Sequence, residues 1–274
     1  MKLEKNYYVF SLSYVGARFF GWQKQRDFPS LHQAFNTALE KALFDTYHKE
    51  VPYKSIGASR TDARVNAFDQ KVKVKIIGKK LDTEHFKKQV NSVIPYDIHI
   101  KDITETTRKM AVIAHAKNKE YLYFFTSNQE RSPFLFPYVT YLDEPNLDYE
   151  IMKEGVKLFI GTHSFHNYTY RPNTSQMVRT IESLDLYFDY HFDEYGLNIK
   201  SHMLKIKGDG FLKQMVRIIM GTLISLGRGD CTLDDIKQSL DPKTRVKLGF
   251  IAPPHGLFLY KINYLDEYSY LNKP

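Results

Sequence analysis

One cysteine, Cys231, stands in 274 residues. That scarcity excludes an intrachain disulfide framework and a zinc site built on several thiolates, and it suits a reducing cytoplasm. Long apolar runs are also missing. The longest candidate, MVRIIMGTLISLG, carries Arg217 and falls short of the roughly 20 residues a membrane helix needs, so no membrane partner is expected. The opening MKLEKNYYVF has no apolar stretch after its charges, so no secretory leader is expected there, and a cytoplasmic location is expected from the missing signals. No GxGxxG follows a strand, and no P-loop or GxSxG elbow occurs; nothing signals a dinucleotide site, a phosphate-cradling loop or a hydrolase nucleophile. Histidines are scattered. The spacing in HSFH (His163, His166) suits a metal, but no carboxylate or third ligand sits near it, so no metal site is expected. Asp234 and Asp235 fall in a predicted short surface helix, which argues against a metal-dependent nuclease.

What is present is positive charge and aromatic rings. Lys and Arg number 39 against 31 Asp and Glu, a net charge of +8. Such a balance points to a polyanionic partner, most often nucleic acid. The chain also holds 20 Tyr and 19 Phe. Rings can stack bases while cations hold phosphates, or they can simply fill a core.

Periodicity divides the chain into strands and helices. YYVFSLSYVG is rich in aromatic and β-branched residues and reads as a strand. ARFFGWQKQRDFPS reads as a loop, and Ser30 caps a helix whose apolar residues Leu31, Ala34, Phe35, Ala38, Leu39 and Ala42 recur at helical spacing. VPYKSIG reads as a strand. QKVKVKII alternates strictly, with Val72, Val74 and Ile76 on one face and Lys71, Lys73 and Lys75 on the other. That second face is either solvated or turned to RNA. A helix is predicted over 83–93, a strand at IPYDIHI, two strands around an AKNK turn, irregular backbone at SPFLFPYVTY, an amphipathic helix ended by Gly161, and a polar loop at HSFHNYTYRPNTSQ. Alternating strands, a strongly apolar helix from Phe211, a short helix at LDDIKQSL and a closing strand at LFLYKINYL follow. The order favours an α+β fold with antiparallel strand pairs in each half. A soft boundary is placed near 105, giving an N-terminal subdomain 1–105 and a C-terminal subdomain 106–274.

Two places carry chemistry. GASRTDARVNA puts Asp62 between Arg60 and Arg64. Flanking cations favour an ionised carboxylate, which suits a nucleophile or a general base; the bland alternative is that Thr61 or Asp62 caps a turn or helix. In FLKQMVRIIMGTLISL apolar residues cover most of the circumference, leaving a narrow stripe of Lys213, Arg217 and Gly221. Either the stripe faces water, or Arg217 is enclosed and requires a carboxylate partner, for which Asp62 is one candidate.

RTDA at 60–63, with Val65, Ala67 and Gln70, resembles the GRTDAGVHALGQ hallmark of the tRNA pseudouridine synthase A family. The likeness recurs in order along the chain: YVGARFFGWQKQ is similar to YDGTxFxGWQxQ, QVNSVIPYDIHI to LNxxLPxDIxV, KEYLYFF to the RxYxY segment, and GTHSFHNYT to GxHDFxxF. GFLKQMVRIIMGTLISLGRG is similar to FLxxMVRxxxGxLxxxGxG, and IAPPHGLFLYKINY to APxxGLxLxxVxY. The resemblance implies two RNA-recognition-motif-like halves, a mainly antiparallel sheet flanked by helices, and a homodimer binding tRNA in basic clefts. It implies an isomerase that turns uridine into pseudouridine in the anticodon stem-loop without metal or organic cofactor. By the same resemblance Asp62 stands at the catalytic aspartate, Arg217 at the arginine that pairs with it, Arg60 at an arginine implicated in base flipping, and Tyr121 at the tyrosine packed on the target base. Gln23, Arg64, Lys71, Lys73, Lys119 and Lys213 are the candidate RNA contacts. Ser59, Arg64, Asn66, Asp69, Lys119 and Ser164 depart from the family pattern, so an RNA-binding or RNA-folding protein of the same fold is the alternative.

Overall fold

The structure, a computed structural model, describes residues 3–127, 131–144, 146–170 and 177–272. In chain order the regular elements are β1 (Lys5–Tyr14), α1 (Leu31–Tyr47), β2 (Tyr53–Gly57), β3 (Asn66–Ile77), α2 (Thr83–Val93), β4 (Ile98–Thr106), β5 (Ala116–Ser127), β6 (Thr140–Leu142), α3 (Tyr149–Leu158), β7 (Gly161–Ser164), β8 (Val178–Glu194), β9 (Leu197–Gly208), α4 (Met215–Arg228), α5 (Leu233–Ser239) and β10 (Leu257–Tyr264). Short 3₁₀ turns occupy His166–Tyr168 and Asp266–Leu271. The fold class is α+β, as the order of elements suggested. Residues 171–176, expected as part of a polar loop, lie outside the described residues. Among the described residues no helix is long and apolar enough to cross a membrane.

The chain forms two compact units, residues 1–117 with 259–274, and residues 118–258. The first therefore runs past the soft boundary near 105, where KDITET continues β4, and takes back the end of the chain. Its sheet has the order β4-β1-β3-β10 with β2 also on β3; β1 is antiparallel to β3 and to β4, and β2 to β3. Helix α1 starts where Ser30 accepts from the Gln33 N–H, satisfying one of the amides a helix start leaves open. Phe35 of α1 meets Phe10 of β1 edge to face at 5.6 Å. Val72, Val74 and Ile76 are fully buried, as their alternation predicts.

On the lysine face of β3, Lys73 and Lys75 are half-buried, and Lys71 corrects both sequence readings. Lys71 is only 1% exposed; its ammonium donates to Ser11 Oγ at 2.8 Å and pairs with Asp69 at 3.0 Å. Lys73 donates to the Met110 and Arg108 carbonyls and lies 5.0 Å from the Tyr7 ring centre. Burial pushes the ammonium groups of both lysines below the usual lysine range. Sequence alternation cannot show that a loop will cover the second face.

In the second unit the sheet order is β5-β9-β8-β7, antiparallel throughout, with β6 parallel to β5. AKNK is not a turn: it opens β5. Helix α3, capped by Asp148, lies so close to α4 that a Cβ at Gly155 would fall 2.4 Å from Leu226 Cδ2. Helix α4 begins at Met215, four residues later than expected, after Gln214 in the left-handed region. Lys213 is thus outside the helix, and its residues from Met215 to Gly227 are all buried, so no polar stripe exists.

Candidate functional site

Asp62 lies on the link between β2 and β3, and that link is stitched to the loop following β1. From the β3 side, Gln70, fully buried, takes the Ser59 N–H on Oε1 at 3.2 Å and donates to the Ser59 carbonyl at 2.8 Å. From the β1 side, the Trp22 N–H donates to the Thr61 carbonyl at 3.0 Å, the Arg64 N–H donates to the Phe19 carbonyl at 3.0 Å, and the Tyr14 hydroxyl meets Thr61 Oγ1 at 2.8 Å. Buried Asn66 accepts the Gly16 N–H at 2.8 Å. A tight turn closes around Asp62 itself, with the Val65 N–H on its carbonyl at 3.2 Å. No helix starts at Thr61 or Asp62, so the helix-cap reading falls.

Two glycines make this stitching possible. A Cβ at Gly16 would sit 2.2 Å from the Val65 carbonyl oxygen, and one at Gly21 would sit 2.8 Å from the Thr61 oxygen. Gly21 also has φ of +98°, open to glycine at little cost. The motifs YVGARFFGW and SRTDARVN are therefore two halves of one rigid assembly. It leaves Asp62 half-buried between the exposed side chains of Arg60 and Arg64. Arg64 has φ of +64°: the position that the family pattern fills with glycine is left-handed in this chain, and an arginine holds it.

In the second unit Tyr121 projects from β5 and is 7% exposed. The Phe211 ring meets it edge to face, 5.2 Å between centres and 82° between planes. Gly208 allows that approach, since a Cβ there would lie 3.3 Å from the Phe211 ring and 2.7 Å from the Thr180 carbonyl oxygen. Two residues before Tyr121, and on the same face of the strand, Lys119 is half-buried; desolvation lowers its ammonium to about 8.

Arg217 sits in the first turn of α4, 8% exposed. Its Nε donates to the Ala252 carbonyl at 2.7 Å, while the Ala252 N–H donates back to the Arg217 carbonyl at 3.1 Å. The two bonds tie the Nε edge of the guanidinium and the Arg217 backbone to residue 252. They also require Gly221 one turn on, where a Cβ would lie 1.9 Å from the Phe250 carbonyl oxygen. The Tyr123 hydroxyl, pushed up by burial with Arg217's charge a smaller opposing influence, is bonded to Thr140 Oγ1 and donates to the Pro253 carbonyl, both at 2.9 Å.

The remaining candidates separate. Gln23 and Lys213 are exposed, Lys213 lying 5.2 Å from the Tyr170 ring centre. Lys71 is excluded as a contact by its burial, and Lys73 is tied to the carbonyls named above. His166 bonds Ser164 Oγ at 2.9 Å and the Thr244 carbonyl at 2.6 Å, and Asp235 closes a capping box with Thr232; both act in the framework. Among the described residues no three His, Cys, Asp or Glu are placed to hold a metal ion. Sequence reading missed Lys243, Arg245 and Lys247, three exposed cations. Their loop is pinned by Asn167, which donates to the Thr244 carbonyl and accepts the Val246 N–H. The alternation in PKTRVK was the available signal.

The family model described as tRNA pseudouridine synthase matches residues 156–265. Among curated proteins, the chain is similar to "tRNA pseudouridine synthase A" of Geobacillus sp. (strain WCH70), 33% identical over 255 residues, covering 93% of this chain and 96% of that one. It is likewise similar to "tRNA pseudouridine synthase A 2" of Clostridium perfringens, 34% identical over 256 residues with 93% and 98% coverage, and to "tRNA pseudouridine synthase A" of Thermodesulfovibrio yellowstonii, 30% identical over 256 residues with the same coverages.

Proposed function

This chain belongs to the tRNA pseudouridine synthase A family and is a pseudouridine synthase, an isomerase, from which we propose that it converts uridine to pseudouridine in the anticodon stem-loop of tRNA with Asp62 as the reacting carboxylate. The N1–C1′ glycosidic bond breaks, the uracil turns, and C5 bonds to C1′; the proton lost from C5 is balanced by one gained at N1. Asp62 acts on the sugar, by attack at C1′ or by taking a sugar proton, and a primary isotope effect with 2′-deuterated uridine separates these routes.

Support comes first from the Asp62 turn, an ionisable side chain held in a loop fixed by backbone and side-chain bonds on both flanks. Such fixing supplies the orientation that catalysis needs. The other roles follow the chemistry of the groups. Tyr121, its ring braced by Phe211, stacks on the target uracil once that base has left its stack. Arg60 fills the vacated space, and Arg217 supplies positive charge to the same reaction. Arg64, Lys119 and Lys213, with Lys243, Arg245 and Lys247, contact phosphates.

The test is transcribed tRNA incubated with purified protein and mapped by carbodiimide primer extension. Wild-type protein should give new stops in the anticodon stem-loop, and Asp62→Asn should give none while binding tRNA within a few-fold of wild type. Normal turnover by Asp62→Asn would sink the assignment.

A further inference from the structure

The loop between β1 and α1 buries Phe19 and Trp22 but exposes two large rings. Phe20 is 42% and Phe28 49% exposed. They stack on each other with centres 4.5 Å apart and planes 29° from parallel. Mutual shielding explains the faces they turn inward. It does not explain why the outer faces stand in solvent, where exposed apolar area is unfavourable. Lys24 and Arg26, in the segment between them, are exposed as well.

Position gives the pair its meaning. Phe20 lies between Phe19, whose carbonyl takes the Arg64 N–H, and Gly21, packed on the Thr61 carbonyl. The other side of the pair is tied down too, since the Phe20 N–H donates to the carbonyl of Pro29 at 2.9 Å. The rings are thus carried by the same rigid assembly that holds Asp62. Flat apolar faces flanked by cations are what unpaired bases bind, because every base has a π-face and a phosphate beside it. A paired stem hides its faces and would gain nothing from them.

We propose that Phe20 and Phe28 form a stacking platform for an unpaired base of the substrate loop, beside the uridine on which Asp62 acts, with Lys24 and Arg26 on the adjoining phosphates. The proposal rests on the function given above and adds to it a selector for single-stranded RNA. Stacking of one base on an aromatic side chain is worth roughly 5- to 150-fold in affinity.

The experiment compares wild type, the double variant Phe20→Leu/Phe28→Leu, and Phe20→Tyr/Phe28→Tyr on an anticodon stem-loop RNA. Each protein is first checked for an unchanged melting temperature. The leucine variant keeps apolar bulk and loses the π-faces. We expect its KM to rise about ten-fold or more with kcat within two-fold, the salt dependence of binding unchanged, and the tyrosine variant restored to near wild type. Affinity for a blunt duplex of equal length should not move. A stem-loop with 5-iodouridine next to the target should photocrosslink to Phe20 or Phe28. Equal KM for wild type and leucine variant, or crosslinks mapping only elsewhere, would overturn the platform. A wild-type protein that makes no pseudouridine on any tRNA would instead overturn the proposed function, so the two failures are distinct.

Discussion

Gly16→Ala is the sharpest probe of how the fold positions Asp62. The new Cβ would lie 2.2 Å from the Val65 carbonyl oxygen, 2.8 Å from its carbon and 2.9 Å from the Arg64 carbonyl carbon. Ordinary contact begins at 3.4 Å, so the two backbones must separate by about 1.2 Å. Both partners are main chain, and no flexible side chain can yield instead. The displacement works directly against the Gly16 N–H bond to Asn66 and the Arg64 N–H bond to Phe19, which flank the Asp62 turn. Overpacking of this kind destabilises by about 1–3 kcal/mol, and each kcal/mol lowers Tm by roughly 2–4 °C at this chain size. A shift of about 1 Å in a catalytic group costs on the order of 100-fold in rate. The assay is single-turnover pseudouridine formation at saturating enzyme and a temperature where the variant is fully folded. We expect the rate to fall about 100-fold with tRNA affinity within a few-fold. Gly210→Ala, whose Cβ would meet nothing nearer than Arg179 Nε at 3.7 Å, is the neutral control. A folded Gly16→Ala protein within three-fold of wild-type rate would refute the idea that this close approach sets the Asp62 loop.

Three further outcomes follow from particular residues. Arg64→Gly and Arg64→Ala remove the same charge, but only glycine relieves the left-handed backbone at φ +64°; Arg64→Gly should melt about 2 °C above Arg64→Ala, for a difference of about 1 kcal/mol, and both should flatten the salt dependence of tRNA binding by about one phosphate contact. Lys119, lowered to about 8 by burial, is cationic below that pH and neutral above it. The KM for tRNA should therefore rise as pH passes through about 8, and Lys119→Arg, charged throughout, should stay flat; a wild-type profile flat from pH 7 to 9 would count against the contact. Asp69→Gly leaves the ammonium of buried Lys71 without its carboxylate and should destabilise by about 3 kcal/mol in chemical denaturation, a loss that Lys71→Met in the same chain should largely reverse.

Local sequence patterns carry the fold class, the family and several element positions. Asp62 between two arginines, the strand alternation of Val72, Val74 and Ile76, the helix cap at Ser30 and the all-round apolar character of α4 are local patterns. Each is written in residues a few positions apart; the buried face of β3 and the Ser30 cap reappear as expected, while α4 starts at Met215 rather than Phe211. The ordered motifs alone carry the family. Tertiary structure decided what depends on distant partners. Lys71 and Lys73 alternate as solvated residues do, yet Asp69, Ser11 and the carbonyls of 108 and 110 take their ammonium groups. Lys213 falls at helical spacing from Arg217, but the left-handed Gln214 starts the helix after it. The terminal segment returns to the first unit because long-range strand pairing, invisible to periodicity, outweighs its place in the chain. Local patterns fix which groups are present and how the backbone beside them runs. Burial and orientation belong to whatever packs against them, and that partner comes from elsewhere in the chain.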